Sequence, residues 1–187
     1  MTAVWIILAA LLAVVLLGTV LFLIACRRGP VPDLTKPEVI AKWGRAEQTE
    51  EILAGVRLMQ DAENIFLPSY DGLRLHGRLL QQPGAKGTIL LFHGYRSSWG
   101  IDFSIVLPYY HSLGYNLLAV DERAHGESEG MYITFGVRER MDVISWATYM
   151  GQKLGQNAPL ILGGLSMGAT TVLLASCFDF PANVRAI

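Results

Sequence analysis

Within Leu160–Val172, LILGGLSMGATTV, an apolar run stops at two glycines, and a serine precedes a third glycine and a stretch of small residues. No other stretch constrains the fold as much. Pro159-Leu160-Ile161-Leu162 has the character of a strand buried on both faces. Met167 to Cys177 has that of a helix. A strained turn must join them, and Gly164, Ser166 and Gly168 give it the pattern G-x-S-x-G. Glycines two residues either side of the serine remove Cβ atoms that would clash in such a turn. The hydroxyl then projects alone, facing the next helix's N-terminus, where free N–H groups and the dipole favour negative charge. Ser166 is therefore a candidate nucleophile, and the bland alternative is a structural tight turn. A phosphate loop would need a Gly-Lys-Ser/Thr ending that this turn lacks.

Two further unbroken apolar runs, Thr88–Phe92 and Tyr115–Val120, read as strands of the same buried kind. Helices are expected between them, at Phe103–Leu113 and at about Phe135–Leu154, where Val137, Met141, Ile144 and Trp146 recur at helical spacing. A last strand begins at Val184. Upstream, Leu73, Leu75, Gly77 and Leu79 alternate with Arg74, His76 and Arg78 after an Asp71-Gly72 turn, which signals an antiparallel β-hairpin from about Asn64. This order specifies an α/β fold: a mainly parallel sheet led by a hairpin, with helices on both faces. Reactive groups in such sheets sit in loops at the carboxyl ends of the strands.

Three loops meet that description. Besides the Ser166 turn, Phe92 runs into His93-Gly94-Tyr95-Arg96-Ser97-Ser98, and Val120 into Asp121-Glu122-Arg123-Ala124-His125-Gly126-Glu127-Ser128. Acyl transfer needs two N–H donors for a developing oxyanion, one after the nucleophile and one from an earlier strand-end loop. Met167 and Tyr95 occupy those positions. His93 is tempting as a base, but holding its own loop is the simpler role. Asp121 and His125 could be an acid–base pair, although local capping, with Arg123 bracing a neighbouring loop, explains that stretch better. His76 and His111 read as ordinary packing or surface residues.

Val4 to Ala25 is an uncharged apolar run of 22 residues with Trp5 near one end and Arg27-Arg28 closing the other. That length suffices for a hydrocarbon core of about 30 Å. A cleaved signal peptide would want a basic start, and no Lys or Arg precedes Val4. Leu23-Ile24-Ala25-Cys26 also has the look of a lipidation site at Cys26, against which the same missing charge counts. An uncleaved single-pass anchor in the cell membrane is the favoured reading. Arg27, Arg28, Lys36, Lys42 and Arg45 outnumber Asp33 and Glu38 beyond the span, which favours a cytoplasmic C-terminal side. The expected organisation is an anchor over 1–29, a linker and helical segment over 30–63 opening on a stiff Gly29–Pro32 stretch, and a partial catalytic-type domain over 64–187. Fifteen Lys and Arg balance 16 Asp and Glu, so nothing suggests nucleic acid as a partner. Cys26 and Cys177 form no disulfide framework, and no metal-ligand spacing is present.

Taken together, His93-Gly94-Tyr95, the Asp121–Ser128 loop and Gly164-Leu165-Ser166-Met167-Gly168 resemble the α/β-hydrolase superfamily over about Asn64 to Ile187. Within it the chain looks most like bacterial membrane-anchored serine hydrolases of esterase, lipase or peptidase type. The resemblance implies Ser166 as nucleophile, Tyr95 and Met167 as oxyanion-hole N–H donors, a largely structural Asp121–Ser128 loop, a small-molecule, acyl or peptide substrate, and no cofactor. It also implies chain order Ser, then acid, then His. Only 21 residues follow Ser166, with Asp179 and no histidine among them. The expectation is a truncated hydrolase lacking its C-terminal strands and triad partners. The alternative is a non-catalytic, membrane-tethered binding module with a hydrolase-like fold.

Overall fold

The computed structural model describes residues 2–30, 32, 36–43 and 45–187. Val31 of the expected stiff linker and Asp33 of the flanking charges lie outside the described residues. Helix α1 (Thr2–Cys26) takes up the whole apolar run, and none of its residues is buried against the rest of the chain. At 25 residues it measures roughly 37 Å, more than a hydrocarbon core. Two short helices follow, α2 (Pro37–Lys42) and α3 (Thr49–Leu58). Ile40 of α2 and Ile52 of α3 are fully buried together with Ile101.

The hairpin β1 (Glu63–Pro68) and β2 (Arg74–Leu80) is antiparallel, with Ile65 opposite Gly77. The strands β3 (Thr88–Phe92), β4 (Asn116–Asp121), β5 (Leu160–Gly164) and β6 (Val184–Ala186) complete a six-stranded sheet of order β1-β2-β4-β3-β5-β6. Strand β2 joins β4 antiparallel, whereas β4, β3, β5 and β6 run parallel. The apolar runs are unbroken because both faces are covered. Leu90 and Phe92 of β3 with Leu118 and Val120 of β4 meet Trp146, Ala147 and Val172 on one side. Ile89, Leu91, Leu117 and Ala119 meet Phe103, Leu107 and Met59 on the other.

The helices depart from the sequence pattern in two places. The helix expected at Phe103–Leu113 is two, α4 (Trp99–Phe103), capped by the Ser98 hydroxyl, and α5 (Leu107–Ser112). Pro108 has no N–H for the Ser104 carbonyl, which ends one helix and starts another. The helix expected from Phe135 is α6 (Glu139–Leu154). It starts late because Phe135 has φ 52° and Gly136 φ 95°, and the Glu139 carboxylate instead gathers the preceding turn. Glu139 accepts from Thr134 N at 2.7 Å, Thr134 Oγ1 at 2.6 Å and Gly136 N at 2.8 Å. The last long helix, α7 (Met167–Ala175), springs directly from the Ser166 turn.

Candidate active site

Strand β5 continues two residues past its apolar run, because Gly163 and Gly164 still pair with Leu91 and Phe92 of β3. Leu165 N then donates to Phe92 O at 3.1 Å, and the chain reverses at Ser166 with φ 53° and ψ −114°. An L-residue pays about 1–3 kcal/mol to sit there. The glycines make the turn possible. A Cβ on Gly168 would run into the Phe92 carbonyl, and one on Gly164 into the Gly168 backbone. Ser166 itself is exposed. Among the described residues its hydroxyl has no hydrogen-bond partner.

Beside it stands the loop after β3. A Cβ placed on Gly94 would lie 3.4 Å from Ser166 Cβ. Asp102 holds this loop, accepting from Gly94 N at 2.6 Å and from Ser97 Oγ at 2.8 Å. Gly94 N is thereby committed. The N–H groups of Tyr95 and Met167 have no partner among the described residues. The Tyr95 side chain packs with Met167, Ala124 and Ile133, and its ring stacks on Phe135 at 5.1 Å. Four non-glycine residues among those described have left-handed backbone, Arg96, Ala124, Phe135 and Ser166. All four lie in the loops around this turn, where stored strain commonly collects.

The histidines are used as braces. His93 is buried, with Nδ1 bonded to Gly94 O at 2.8 Å and Nε2 accepting from Glu122 N at 3.1 Å. His125 accepts from Arg96 N at Nε2 (3.0 Å), while its Nδ1 bonds Arg123 O (3.0 Å). The two rings meet edge to face at 4.8 Å. Burial disfavours the protonated form of both: it lowers the His93 pKa and, with the repulsion the two rings would feel if both were protonated, brings His125 down to about 4. A histidine whose pKa is depressed on folding stabilises the fold above its unfolded pKa and loses that contribution as pH falls. Stability is therefore expected to drop by up to about 3 kcal/mol between pH 6.5 and 4. Denaturant unfolding across that range checks it, and His125→Gln should flatten the slope.

His76 is not the unaccompanied packing residue that its sequence suggests. It is 1% exposed, its Nδ1 lies 2.8 Å from Asp121 Oδ2 and its Nε2 3.0 Å from Asn64 Oδ1. Burial pushes the Asp121 carboxyl up, but the His76 ring and the Glu127 N–H outweigh it and hold the pKa below the ordinary value. Asp121 thus faces the hairpin rather than His125. Arg123, 2% exposed, forks onto Asp142 (2.6 and 2.7 Å) and reaches Asp71 of the hairpin turn (2.9 Å). Glu122 is buried beneath the loop with Thr171 Oγ1 donating to it at 3.0 Å, and its Oε1 has no partner among the described residues. Burial, aided by Glu139, raises its pKa well above the ordinary carboxylate value. The Asp121–Ser128 loop is accordingly framework, as its sequence suggests. Asp102 and Glu139, which hold the two loops flanking the serine, carried no motif that would single them out.

No family model matches the chain. Over 121 residues it is 30% identical to the uncharacterized protein YqkD of Bacillus subtilis (strain 168), covering 60% of this chain and 38% of that one. The esterase Pf2001 of Pyrococcus furiosus superimposes with a TM-score of 0.57 at 28% identity, covering 63% of this chain and 47% of that one. A lidless α/β serine hydrolase of Xanthomonas campestris shares the fold at a TM-score of 0.52 and 21% identity, covering 63% and 56%. The chain thus spans less than two thirds of each of these proteins.

A parallel sheet led by a hairpin, with a strained serine at the end of β5 and its helix beneath, is the α/β-hydrolase fold. In fold the chain is similar to esterases and serine hydrolases of the α/β-hydrolase superfamily.

Proposed function

We propose that the protein is a membrane-anchored serine hydrolase of ester, thioester or amide bonds. Ser166 attacks the acyl carbon, and the N–H groups of Tyr95 and Met167 receive the oxyanion. The observation that carries this reading is the Ser166 turn. It holds an exposed hydroxyl at a strained backbone position next to two uncommitted N–H groups, the geometry that stabilises a tetrahedral intermediate. Met167 N opens α7, so the dipole of that helix adds to the stabilisation. Esterases among the similar proteins agree with acyl transfer.

A serine is a weak nucleophile without a base. His93 and His125 have both ring nitrogens committed, His76 serves Asp121, and His111 lies on α5, which leads into the amino end of β4. In this reading the base is a group other than these four histidines. The same observation is what favours the second reading, a membrane-tethered binding module that keeps the fold without the chemistry.

Mass spectrometry decides between them. The full-length protein treated with a fluorophosphonate should carry one phosphonyl adduct, on the peptide containing Ser166. An unmodified Ser166 in folded protein would support the binding module, and an adduct elsewhere would move the nucleophile.

A further inference from the structure

Helix α1 ends on the site. Three of its terminal carbonyls, which have no partner within a helix, are taken by the loops around Ser166. Tyr95 Oη donates to Ala25 O at 2.6 Å, Arg96 donates to Ile24 O at 2.6 Å, and Ile133 N donates to Cys26 O at 2.6 Å. Just beyond the helix, Arg28 N donates to Met131 O at 2.8 Å, and the Arg28 guanidinium reaches the carbonyls of Ser128 (2.5 Å) and Gly126. Tyr95 and Ile133 share one packed cluster with Met167 and Ala124. The helix therefore closes within one side chain of both proposed oxyanion donors, with no spacer between.

This attachment fixes which face of the domain meets the bilayer. The Phe22 ring, one turn inside the helix, contacts the Tyr132 ring at 5.2 Å. A helix of roughly 37 Å overruns a hydrocarbon core of about 30 Å, which leaves its last turn in the interface, where tyrosine is favoured. The loop bearing Tyr132 is then at headgroup depth. Around it the domain exposes Met131 (62%), Phe135 (43%), Val137 (60%) and Leu165 (43%). Leu165 adjoins Ser166, and Phe135 stacks on Tyr95. Arg27 stands exposed at the same level, where anionic headgroups would pair with it.

We propose that the face carrying Ser166 lies on the bilayer that holds α1, and that the substrate class is an acyl lipid of that leaflet. The chemistry rests on the serine-hydrolase reading above. The Ser166 Oγ bonds to the acyl carbon as that carbon's bond to the lipid's ester oxygen breaks, and the hydroxyl proton ends on the departing oxygen. One water then splits the acyl-serine, releasing the fatty acid and restoring the hydroxyl.

The test uses full-length protein in nanodiscs, in a Cys26→Ser, Cys177→Ser background. Bimane is placed in turn at Met131→Cys, Val137→Cys, Lys86→Cys and Gln156→Cys, and quenched by nitroxide-labelled phospholipid. Lys86 and Gln156 precede β3 and β5, at the pole opposite Ser166. Quenching at 131 and 137 but not at 86 and 156 is the expected result. Equal quenching at both poles, or none at 131 and 137, overturns the proposal. In parallel, a long-chain fluorophosphonate in the disc should label Ser166 at least tenfold faster than a water-soluble ethyl analogue. Labelling by the soluble probe alone overturns the lipid substrate and leaves the hydrolase reading standing. Labelling by neither removes the hydrolase reading and the substrate with it.

Discussion

Ser166→Ala is expected to lower turnover by about 10⁴- to 10⁶-fold in the full-length protein, with little change in substrate binding. The loss is large because base, acid and oxyanion donors act only through the nucleophile. Its size also separates chemistry from architecture. Alanine keeps the Cβ at φ 53°, so stability should hardly move. Ser166→Gly should be equally inactive yet more stable than wild type by roughly 1 kcal/mol, because glycine occupies this backbone region without strain. A serine retained at a position where glycine folds better is the mark of a stability–activity trade-off. Turnover of a chromogenic ester and denaturant midpoints for the three proteins check both halves. An active Ser166→Ala variant would rule out this nucleophile.

Arg123→Met is expected to destabilise the domain by about 3–5 kcal/mol. Its guanidinium is 2% exposed and ties three parts of the chain together: the hairpin turn through Asp71, the loop after β4 from which it comes, and α6 through Asp142. Removing it leaves the Asp142 carboxylate buried without a counter-charge. Burial already pushes the Asp142 pKa up to about 6 with the arginine beside it. Without the arginine it rises further. A folded pKa above the unfolded one means that stability falls as pH rises between the two, so the deficit should be largest at neutral pH and shrink in acid. The double variant Arg123→Met/Asp142→Asn should recover part of the loss, because no orphaned charge remains. Urea unfolding at pH 5 and pH 8 measures both effects. Arg123→Lys should rescue poorly, since an ammonium cannot fork onto two carboxylates.

What the sequence conveyed, and what it concealed, divides along the distance between interacting residues. The Ser166 turn was legible because the glycines that permit it lie within two residues of the serine and β5 leads straight into it, although Phe92 of β3 also shapes it. The buried strands and the Asp71-Gly72 hairpin were legible for the same reason. Periodicity alone misplaces two helices. Pro108 divides one, and the other starts four residues late because a left-handed Phe135 and the Glu139 carboxylate reshape its approach. The role of His76 is hidden in the sequence because Asp121 is 45 residues away, a pairing that depends on β2 lying beside β4. The grip of Tyr95 and Arg96 on Ile24 and Ala25 spans about 70 residues, and no local pattern marks it. The motif marked the proposed nucleophile, while the contacts that orient its surroundings are tertiary.

The way α1 meets the domain gives this helix a register as well as a length. Tyr95, Arg96 and Ile133 bind carbonyls of three consecutive residues, Ala25, Ile24 and Cys26, on one helix end. One residue inserted between Leu23 and Arg28 would turn that end by about 100° and carry the carbonyls away from their donors. Mutations that merely exchange one apolar side chain for another within α1 should be silent. Insertions and deletions at its last turn should not be, so this stretch should tolerate drift in composition far better than drift in spacing.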